Sequence, residues 1–171
     1  MSAIHELYKK AGELHGHTCP GLAIGVRAAF EALRLLETER GGHGLCCIAE
    51  SRACYQDGIQ SVFGTTLGNG GLELRDRGKT AFNFYDRASG KSVRLILRPV
   101  PEGLKKEESI EFLLTAPFER VFRQTETRFT PPSEPFRRVP SRPCARCGED
   151  CREPFLRIQN GEIICLDCAQ G

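Results

Sequence analysis

The sequence predicts an α+β fold in which helices pack on an antiparallel β-meander, with a small second unit at the C-terminal end. Three observations support this prediction. Apolar residues recur at helical spacing over residues 2 to 39, strand-like patterns follow between residues 44 and 98, and a proline-rich stretch precedes a cysteine-rich tail. Helices segregated from a run of strands are typical of α+β domains and not of doubly wound sheets.

Two helices are predicted at the N-terminal end. Residues 2 to 14 predict a short helix with Ile4, Leu7, Tyr8, Ala11 and Leu14 on one face. Residues 20 to 39 predict a longer one. Its apolar side chains recur at three- and four-residue intervals, at Leu22, Val26, Ala29, Phe30, Leu33 and Leu36. Such a stripe must face either a core or a partner, so it is compatible with a deep core and with self-association.

The next segment reads as a strand, a helix and a loop. Residues 44 to 51 form a short apolar run typical of a buried strand, in which Cys46 and Cys47 point to opposite faces and serve core packing. Cys54 to Phe63 predict a helix that enters the glycine-rich loop GTTLGNGG. That loop lacks the Lys-Ser/Thr pair of a phosphate-binding loop and is interpreted as a turn.

Strands dominate the centre of the chain. Residues 72 to 74, 81 to 85 and 93 to 97 alternate or run apolar, and RASGK between the last two predicts a hairpin turn. Two further helices are expected at residues 105 to 115 and 118 to 126.

A change of composition marks the expected domain boundary. Residues 130 to 143 contain five prolines in fourteen positions, which removes the N–H donors that helices and sheets need. The sequence therefore predicts a core domain over residues 1–130, a proline-rich linker over 131–143 and a separate module over 144–171.

The C-terminal module carries the most specific motif. Two Cys-x-x-Cys pairs, separated by seventeen residues, have the spacing of a zinc ribbon, and they are Cys144, Cys147, Cys165 and Cys168. So short a segment has no adequate core without a metal, so its folding should depend on zinc. Cys151 is interpreted as a free cysteine on the knuckle loop, with a role as alternative ligand left open.

The net charge and the composition of the N-terminus restrict the partners and the cellular location expected for the protein. The formal net charge is +2, and residues 131 to 171 hold six arginines against six acidic residues, so a nucleic-acid partner is not expected. The N-terminus has no export signal and no apolar run approaches a bilayer span, which predicts a cytoplasmic protein with no membrane partner. Nine cysteines in that setting favour metal binding over disulfides.

A second candidate metal site lies in the stretch HGHTCPG. Pro20 suits the first helical position, which makes Cys19 the N-cap of the longer helix and its thiol more acidic than a free one. His15, His17 and Cys19 alternate, so on an extended backbone they converge and could bind zinc or another transition metal. The alternative is a pair of histidines that hydrogen-bond a capping loop beside a buried cysteine.

Cys54 and Asp57 could complete this site. They stand three residues apart at the start of a predicted helix and therefore share a face. Ordinary capping of that helix would explain the same pair equally well.

Four stretches together resemble the FmdE family, which is named for a component of formylmethanofuran dehydrogenase: HGHTCPGLAIGVRAA, CYQDGIQSVFGTTLGNGGL, DRGKTAFNFYDRASGKSVRL and the four-cysteine module. The resemblance implies an α+β core, usually homodimeric, joined by a linker to a zinc ribbon. It also implies that five residues line a metal-binding site in the core, namely His15, His17, Cys19, Cys54 and Asp57. Two segments of this sequence depart from the family's pattern: residues 63–66 read Phe-Gly-Thr-Thr in place of Thr-Gly-Cys-Thr, and residues 68–71 read Gly-Asn-Gly-Gly in place of Gly-Lys-Gly-Asn. A thiol, a cation and an amide that could contact a ligand are therefore missing, which puts the identity of the substrate or cofactor in question more than the metal.

Three functions follow from these expectations. The favoured one is an accessory or metal/cofactor-delivery protein for a molybdenum- or tungsten-type oxidoreductase, with that enzyme's subunits as partners. The second is a stand-alone metal-dependent enzyme, for which the candidate catalytic residues are Cys19, Cys54, Asp57 and His15. The third is a metal- or redox-responsive regulator that uses the zinc ribbon. The sequence leaves open whether the protein is an enzyme.

Overall fold

The chain divides into two units, Met1–Pro135 and Phe136–Gly171. The computed structural model describes residues 2–42, 44–131 and 139–170. The boundary between the units falls within the proline-rich stretch, and residues 132–138 of the expected linker lie outside the described residues.

The described part of the first unit contains five helices. They are α1 (Ala3–His15), α2 (Pro20–Leu36), α3 (Tyr55–Phe63), α4 (Lys106–Thr115) and α5 (Phe118–Val121). The longest predicted helix ends earlier than expected, because Glu37 adopts a left-handed φ of 53° and its N–H donates back to Leu33 and Arg34 carbonyls. Within the described ranges, no helix combines the length and apolar character that crossing a membrane requires.

A five-stranded sheet has the order β2-β1-β3-β4-β5. Its strands are β1 (Leu45–Ala49), β2 (Leu72–Leu74), β3 (Ala81–Asp86), β4 (Ser92–Leu97) and β5 (Phe122–Thr125). The strands β3, β4 and β5 form an antiparallel meander, and β1 pairs antiparallel with β3. The expected meander of residues 72 to 97 is therefore correct for the β3–β4 hairpin, while β2 pairs with β1 and the third strand is β5. In this sheet β1 and β2 are parallel, because α3 carries the chain back across the sheet between them. The α+β class is confirmed, and the parallel pair is an addition to it.

The helix predicted for residues 118 to 126 is wrong over its second half. The α-helix spans only Phe118–Val121, and Phe122–Thr125 form the edge strand β5 against β4. Phe122 is buried in the core while Arg123 and Gln124 are exposed, so pairing with β4 and burial of one aromatic ring override a helical pattern too short to persist.

The main core lies between the helices and one face of the sheet. α2 packs on β3 and β4, and α1, α3 and α4 pack against α2 or α3. The apolar stripe of α2 is therefore covered by its own chain and gives no argument for a dimer. Cys47 belongs to this core, while Cys46 packs with Ile48, Tyr85 and Phe129 on the opposite face, which confirms that the two cysteines point apart.

The second unit is built from two small hairpins, a single-turn 3-10 helix (Glu153–Phe155) and one short α-helix over its described residues. Its elements are β6 (Ser141–Pro143), β7 (Asp150–Arg152), β8 (Leu156–Gln159), β9 (Glu162–Cys165) and α6 (Leu166–Gln170). β6 pairs with β7 and β8 with β9, both antiparallel. The buried cluster that the structure describes here consists of Cys144, Ile164 and Cys165, which is the small core expected of a zinc ribbon.

Candidate metal centre

Two glycines bring the helices α2 and α3 into backbone contact. A Cβ at Gly25 would lie 2.0 Å from the Tyr55 carbonyl oxygen, and a Cβ at Gly58 would lie 2.7 Å from the Leu22 carbonyl oxygen. No other residue allows so close an approach. Cys19 and Cys54 immediately precede α2 and α3, so this crossing places the two thiols side by side.

Cys19 is the N-cap of α2, as the Pro20 signal indicates. Its Sγ accepts a hydrogen bond from the Leu22 N–H at 3.3 Å, and its carbonyl accepts one from the Tyr8 hydroxyl at 3.0 Å. Gly21 leaves room for the partner thiol, since a Cβ there would lie 3.2 Å from Cys54 Cβ and 3.8 Å from both sulfur atoms. The start of α2 therefore orients Cys19 and admits Cys54.

The two histidines reach the same place from the end of α1. His15 is the last residue of that helix, and Gly16 then turns the chain with a left-handed φ of 84°. The expectation of an extended backbone through His15 is therefore wrong. The tight turn nevertheless brings the imidazole rings of His15 and exposed His17 to a centroid separation of 4.3 Å.

Four of the five predicted residues form one cluster. One ligand atom from each of His15, His17, Cys19 and Cys54 lies within 4.8 Å of the others. Burial and the adjacent Cys19 thiol raise the pKa of Cys54, because two neighbouring sulfur atoms resist carrying two negative charges. A bound cation would reverse that effect by favouring both thiolates.

Asp57, the fifth residue, contacts the cluster through His15. Its Oδ2 lies 2.7 Å from His15 Nδ1. A carboxylate only accepts hydrogen bonds, so Nδ1 carries a proton, and in the neutral ring the lone pair is on Nε2. That Nε2 is buried and has no hydrogen-bond partner among the residues that the structure describes. Asp57 therefore orients the imidazole ring of His15 through this contact.

One member of this arrangement was not among the predicted residues. Gln60 donates a hydrogen bond from Nε2 to Asp57 Oδ1 at 3.0 Å. A signal for it is present in the sequence, because residues three apart on a helix lie on the same face and Gln60 follows Asp57 by three.

The donor set fits a late transition metal ion. Two thiols and two imidazoles are the soft and intermediate ligands that such ions prefer, and four of them fill a tetrahedral shell. The unpartnered Nε2 of His15 is a buried polar atom for which an ion would supply the missing partner. The histidine–carboxylate pair matches the usual outer support of a metal-bound histidine.

A second cluster lies within the C-terminal unit. Ligand atoms of Cys144, Cys147, Cys165 and Cys168 are also within 4.8 Å of one another, so this cluster too could hold a metal. Hydrogen bonds from the backbone N–H groups of Cys147 and Cys165 lower the pKa of Cys144 to about 6. A hydrogen bond with the Cys165 thiol, followed by burial, raises the pKa of Cys168 to about 12. One thiol is thus poised to ionise first, and binding of a metal ion would release further protons.

Cys151 lies outside the four-cysteine cluster. Its Sγ is 3.6 Å from the Phe155 carbonyl oxygen and 3.7 Å from the Arg152 carbonyl oxygen. All nine cysteines lie among the described residues and are free thiols there, with no disulfide between them.

Comparisons with known proteins identify the family and the fold of this chain. A family model described as "FmdE, Molybdenum formylmethanofuran dehydrogenase operon" matches residues 14–129. A curated relative from Archaeoglobus fulgidus, described as a probable S-adenosyl-L-methionine-binding protein, is 36% identical over 118 residues, which is 66% of this chain and 32% of the relative. The chain therefore spans only about a third of that relative's length.

A solved structure shows the same fold. It is the crystal structure of a tungsten formylmethanofuran dehydrogenase FmdE-like protein from Syntrophus aciditrophicus, with a TM-score of 0.70 over 97% of this chain and 91% of that chain, at 23% identity. The family model includes every residue of the core cluster and covers more than half of the sequence. The chain therefore belongs to the FmdE family, named for the molybdenum formylmethanofuran dehydrogenase operon.

Proposed function

We propose that this protein binds zinc or another late transition metal ion at His15, His17, Cys19 and Cys54, and that it acts as an accessory or metal/cofactor-delivery protein for a molybdenum- or tungsten-type oxidoreductase. The observation that carries the proposal is the buried Nε2 of His15, which is unpartnered among the described residues and belongs to a cluster of four ligand atoms. Asp57 holds the His15 ring in the tautomer that binding requires.

Delivery is supported by the exposure of the site. His17 is exposed and lies in the short connection between α1 and α2, so an acceptor of the ion can reach this ligand. Cys147 of the four-cysteine cluster is exposed as well, so the two sites differ in their donors and not in exposure. An ion held partly by an exposed, neutral imidazole exchanges more readily than one held by four thiolates. The description of the FmdE family supports an oxidoreductase as the recipient.

If the protein were instead a metal-dependent enzyme, its core ion would need an open coordination position. Catalytic zinc ions keep three protein ligands and one position for water, whereas this cluster offers four side-chain donors. The geometry therefore supports delivery better than catalysis. Cobalt(II) substitution separates the two, because added azide would change the visible spectrum only if a position were open.

Three further properties belong to the proposal. The four cysteines of the C-terminal unit bind a structural zinc ion, which stabilises a unit with little core of its own. The protein works as a homodimer, as its family resemblance implies, and light scattering of the purified protein measures this directly. It acts in the cytoplasm, where reduced thiols are available as ligands.

Metal analysis tests the binding site. Purified wild-type protein should hold two metal equivalents per chain, and the double variant Cys19→Ser/Cys54→Ser should hold one. Cys151→Ser is the matched control, because it removes a thiol that lies outside both clusters. A wild-type protein with a single equivalent, or a double variant that retains two, would contradict the assignment.

Metal transfer tests the delivery role. With a fluorescent chelator in excess, the core ion should leave in a fast phase and the ion of the C-terminal unit in a slow one. The fast phase should be missing in Cys19→Ser/Cys54→Ser. A single slow phase in the wild-type protein would point to a structural ion in the core and would refute delivery.

A further inference from the structure

A chain of hydrogen bonds connects the core cluster to the glycine-rich loop, defined here as Gly64–Gly71. His15 Nδ1 lies 2.7 Å from Asp57 Oδ2, and Asp57 Oδ1 accepts from Gln60 Nε2 at 3.0 Å. Gln60 Oε1 in turn accepts from the backbone N–H of Leu67 at 3.4 Å. Each link joins one donor to one acceptor, so the loop backbone is connected to the ligand atom through three side chains.

The orientation of the Gln60 amide follows from its partners. A carboxylate oxygen requires a donor and a backbone N–H requires an acceptor, so the NH₂ group must face Asp57 and the oxygen must face Leu67. The reverse orientation would place two acceptors together at one end and two donors together at the other. A methionine at this position would have a similar length but neither bond.

The loop at the far end has a defined conformation of its own. Asn69 Oδ1 accepts from the N–H groups of Thr66 and Gly71, at 2.8 and 2.9 Å, and Asn69 Nδ2 donates to the Gly64 carbonyl at 3.0 Å. Leu67, at the middle of this loop, is 70% exposed, so anything that displaces the loop reaches it easily. Asn69 thus fixes the place at which Leu67 meets Gln60.

We propose that Gln60 is a positioning residue of the core metal site, and that through Gln60 the conformation of the glycine-rich loop sets how tightly the ion is held. The proposal rests on the metal binding put forward above and adds the means by which the site is regulated. A partner that displaces the loop would release the Asp57 carboxylate from Gln60, loosen the His15 ring and weaken the grip on the ion. Docking of a partner on the loop would thereby be coupled to release of the ion.

The first experiment compares Gln60→Met with Gln56→Met by chelator competition. Gln56 lies one turn earlier on α3 with a similar, intermediate exposure, and it is not part of the chain of bonds. Gln60→Met should weaken binding about tenfold, the lower end of the loss caused by outer partners of metal ligands. Equal affinity in the two variants would overturn the proposal.

The second experiment tests the loop. Asn69→Ala should weaken binding without touching α3, and the double variant Gln60→Met/Asn69→Ala should bind no more weakly than Gln60→Met alone, because both act along one route. Losses that multiply in the double variant, or an Asn69→Ala protein with wild-type affinity, would overturn the role of the loop.

A spectroscopic readout separates this inference from the proposed function. The ¹⁵N chemical shifts of the His15 ring report the Nδ1–H bond to Asp57 even in metal-free protein, and they should move in Gln60→Met and stay in place in Gln56→Met. If wild-type protein holds no ion in the core, the metal proposal fails, while the ring shifts still test the chain of hydrogen bonds from His15 to the glycine-rich loop. Unchanged ring shifts in Gln60→Met would by themselves refute the role of Gln60 in this chain of hydrogen bonds.

Discussion

At the scale of single residues, one carboxylate contacts the four-residue core cluster without belonging to it. Asp57 contacts His15 Nδ1 at 2.7 Å and so decides which ring nitrogen is free. Asp57→Asn should weaken metal binding about 10- to 100-fold, since an amide no longer fixes the tautomer. Chelator competition measures the loss. Glu13→Gln, which removes an exposed charge two residues before His15, should bind normally, and an equal loss there would indicate a general charge effect instead.

A buried ion pair away from the cluster is the other residue-scale feature. Glu50 and Arg94 are 1% and 2% exposed, and the carboxylate accepts from Arg94 Nε at 2.5 Å and from Asn83 Nδ2 at 2.9 Å. Burial by itself raises the pKa of Glu50, but the hydrogen bonds from Arg94 and Asn83 outweigh it and the pKa is lowered.

This lowered pKa predicts a pH-dependent stability. The contribution of Glu50 is fully present above its ordinary pKa of about 4.3 and is lost as the pH falls through the lower folded value. Glu50→Gln should destabilise the protein by about 3 kcal/mol at pH 7, because it leaves Arg94 buried without a charge partner.

Urea unfolding between pH 7 and pH 3 measures the effect. The difference between wild type and Glu50→Gln should be constant near neutral pH and shrink below about pH 4, where the wild-type carboxyl also becomes protonated. A difference that grows on acidification would contradict the assignment. Glu37→Gln provides the control, because Glu37 forms an exposed pair with Lys91 and its loss should change little.

Most of the core site could be predicted at the level of residues. His15, His17 and Cys19 are close in sequence, and the Pro20 signal correctly placed Cys19 at a helix start. Sequence spacing does not distinguish a role of Asp57 as a ligand from a role as the partner of His15. The tertiary structure was needed to separate the two roles.

At the scale of secondary-structure elements, the crossing of α2 and α3 assembles the site. A methyl group at Gly25 would meet Tyr55 backbone atoms at 2.0 to 2.7 Å, so the helices would have to separate. We expect Gly25→Ala to destabilise the metal-free protein by about 3 kcal/mol, the upper range for overpacking, despite the better helix propensity of alanine. Urea unfolding followed by circular dichroism measures this change.

The same crossing links stability to metal binding. Separation of the two helices would draw Cys19 and Cys54 apart, so Gly25→Ala should also lose the core metal equivalent. Gly12→Ala is the control on α1, where the nearest atom is the methyl group of the exposed Thr18 at 3.1 Å. It should stay within about 1 kcal/mol of wild type, the size of the propensity difference. Equal losses in both variants would argue against the crossing as the cause.

Local patterns predicted most elements and missed how they pair. The helices α1, α2, α3 and α4 and the strands β1 to β4 lie where apolar periodicity indicated. The strand β5 was missed because four residues carry little periodic signal, and its pairing with β4 is a long-range contact. The parallel pairing of β1 and β2 likewise depends on the path of the chain through α3.

At the scale of the whole molecule, the two units differ in what holds them together. The first has a large apolar core, and the second has a described buried cluster of three residues, two of them cysteines. Removal of metal with a strong chelator should therefore unfold the second unit and leave the first folded. Residue-resolved hydrogen exchange measures this, with amides of β8 and β9 losing protection while those of β3 and β4 keep it.

The reverse change provides the control for this prediction. Addition of zinc after the chelator is removed should restore protection in β8 and β9, since the metal supplies the missing stability. Protection that persists in these strands without metal would show that the second unit folds on its own. Loss of protection in β3 as well would show that the core ion, too, is needed for folding.

The sequence by itself determined the α+β class, the four-cysteine motif, the residues of the core cluster and the resemblance to the FmdE family, because these depend on local spacing and residue type. Only the tertiary structure decided that two glycines let α2 and α3 touch, that Asp57 contacts His15 from outside the four-residue cluster, and that Gln60 connects Asp57 to the glycine-rich loop. These are contacts between atoms distant along the chain, and their geometry is fixed by packing of the whole core.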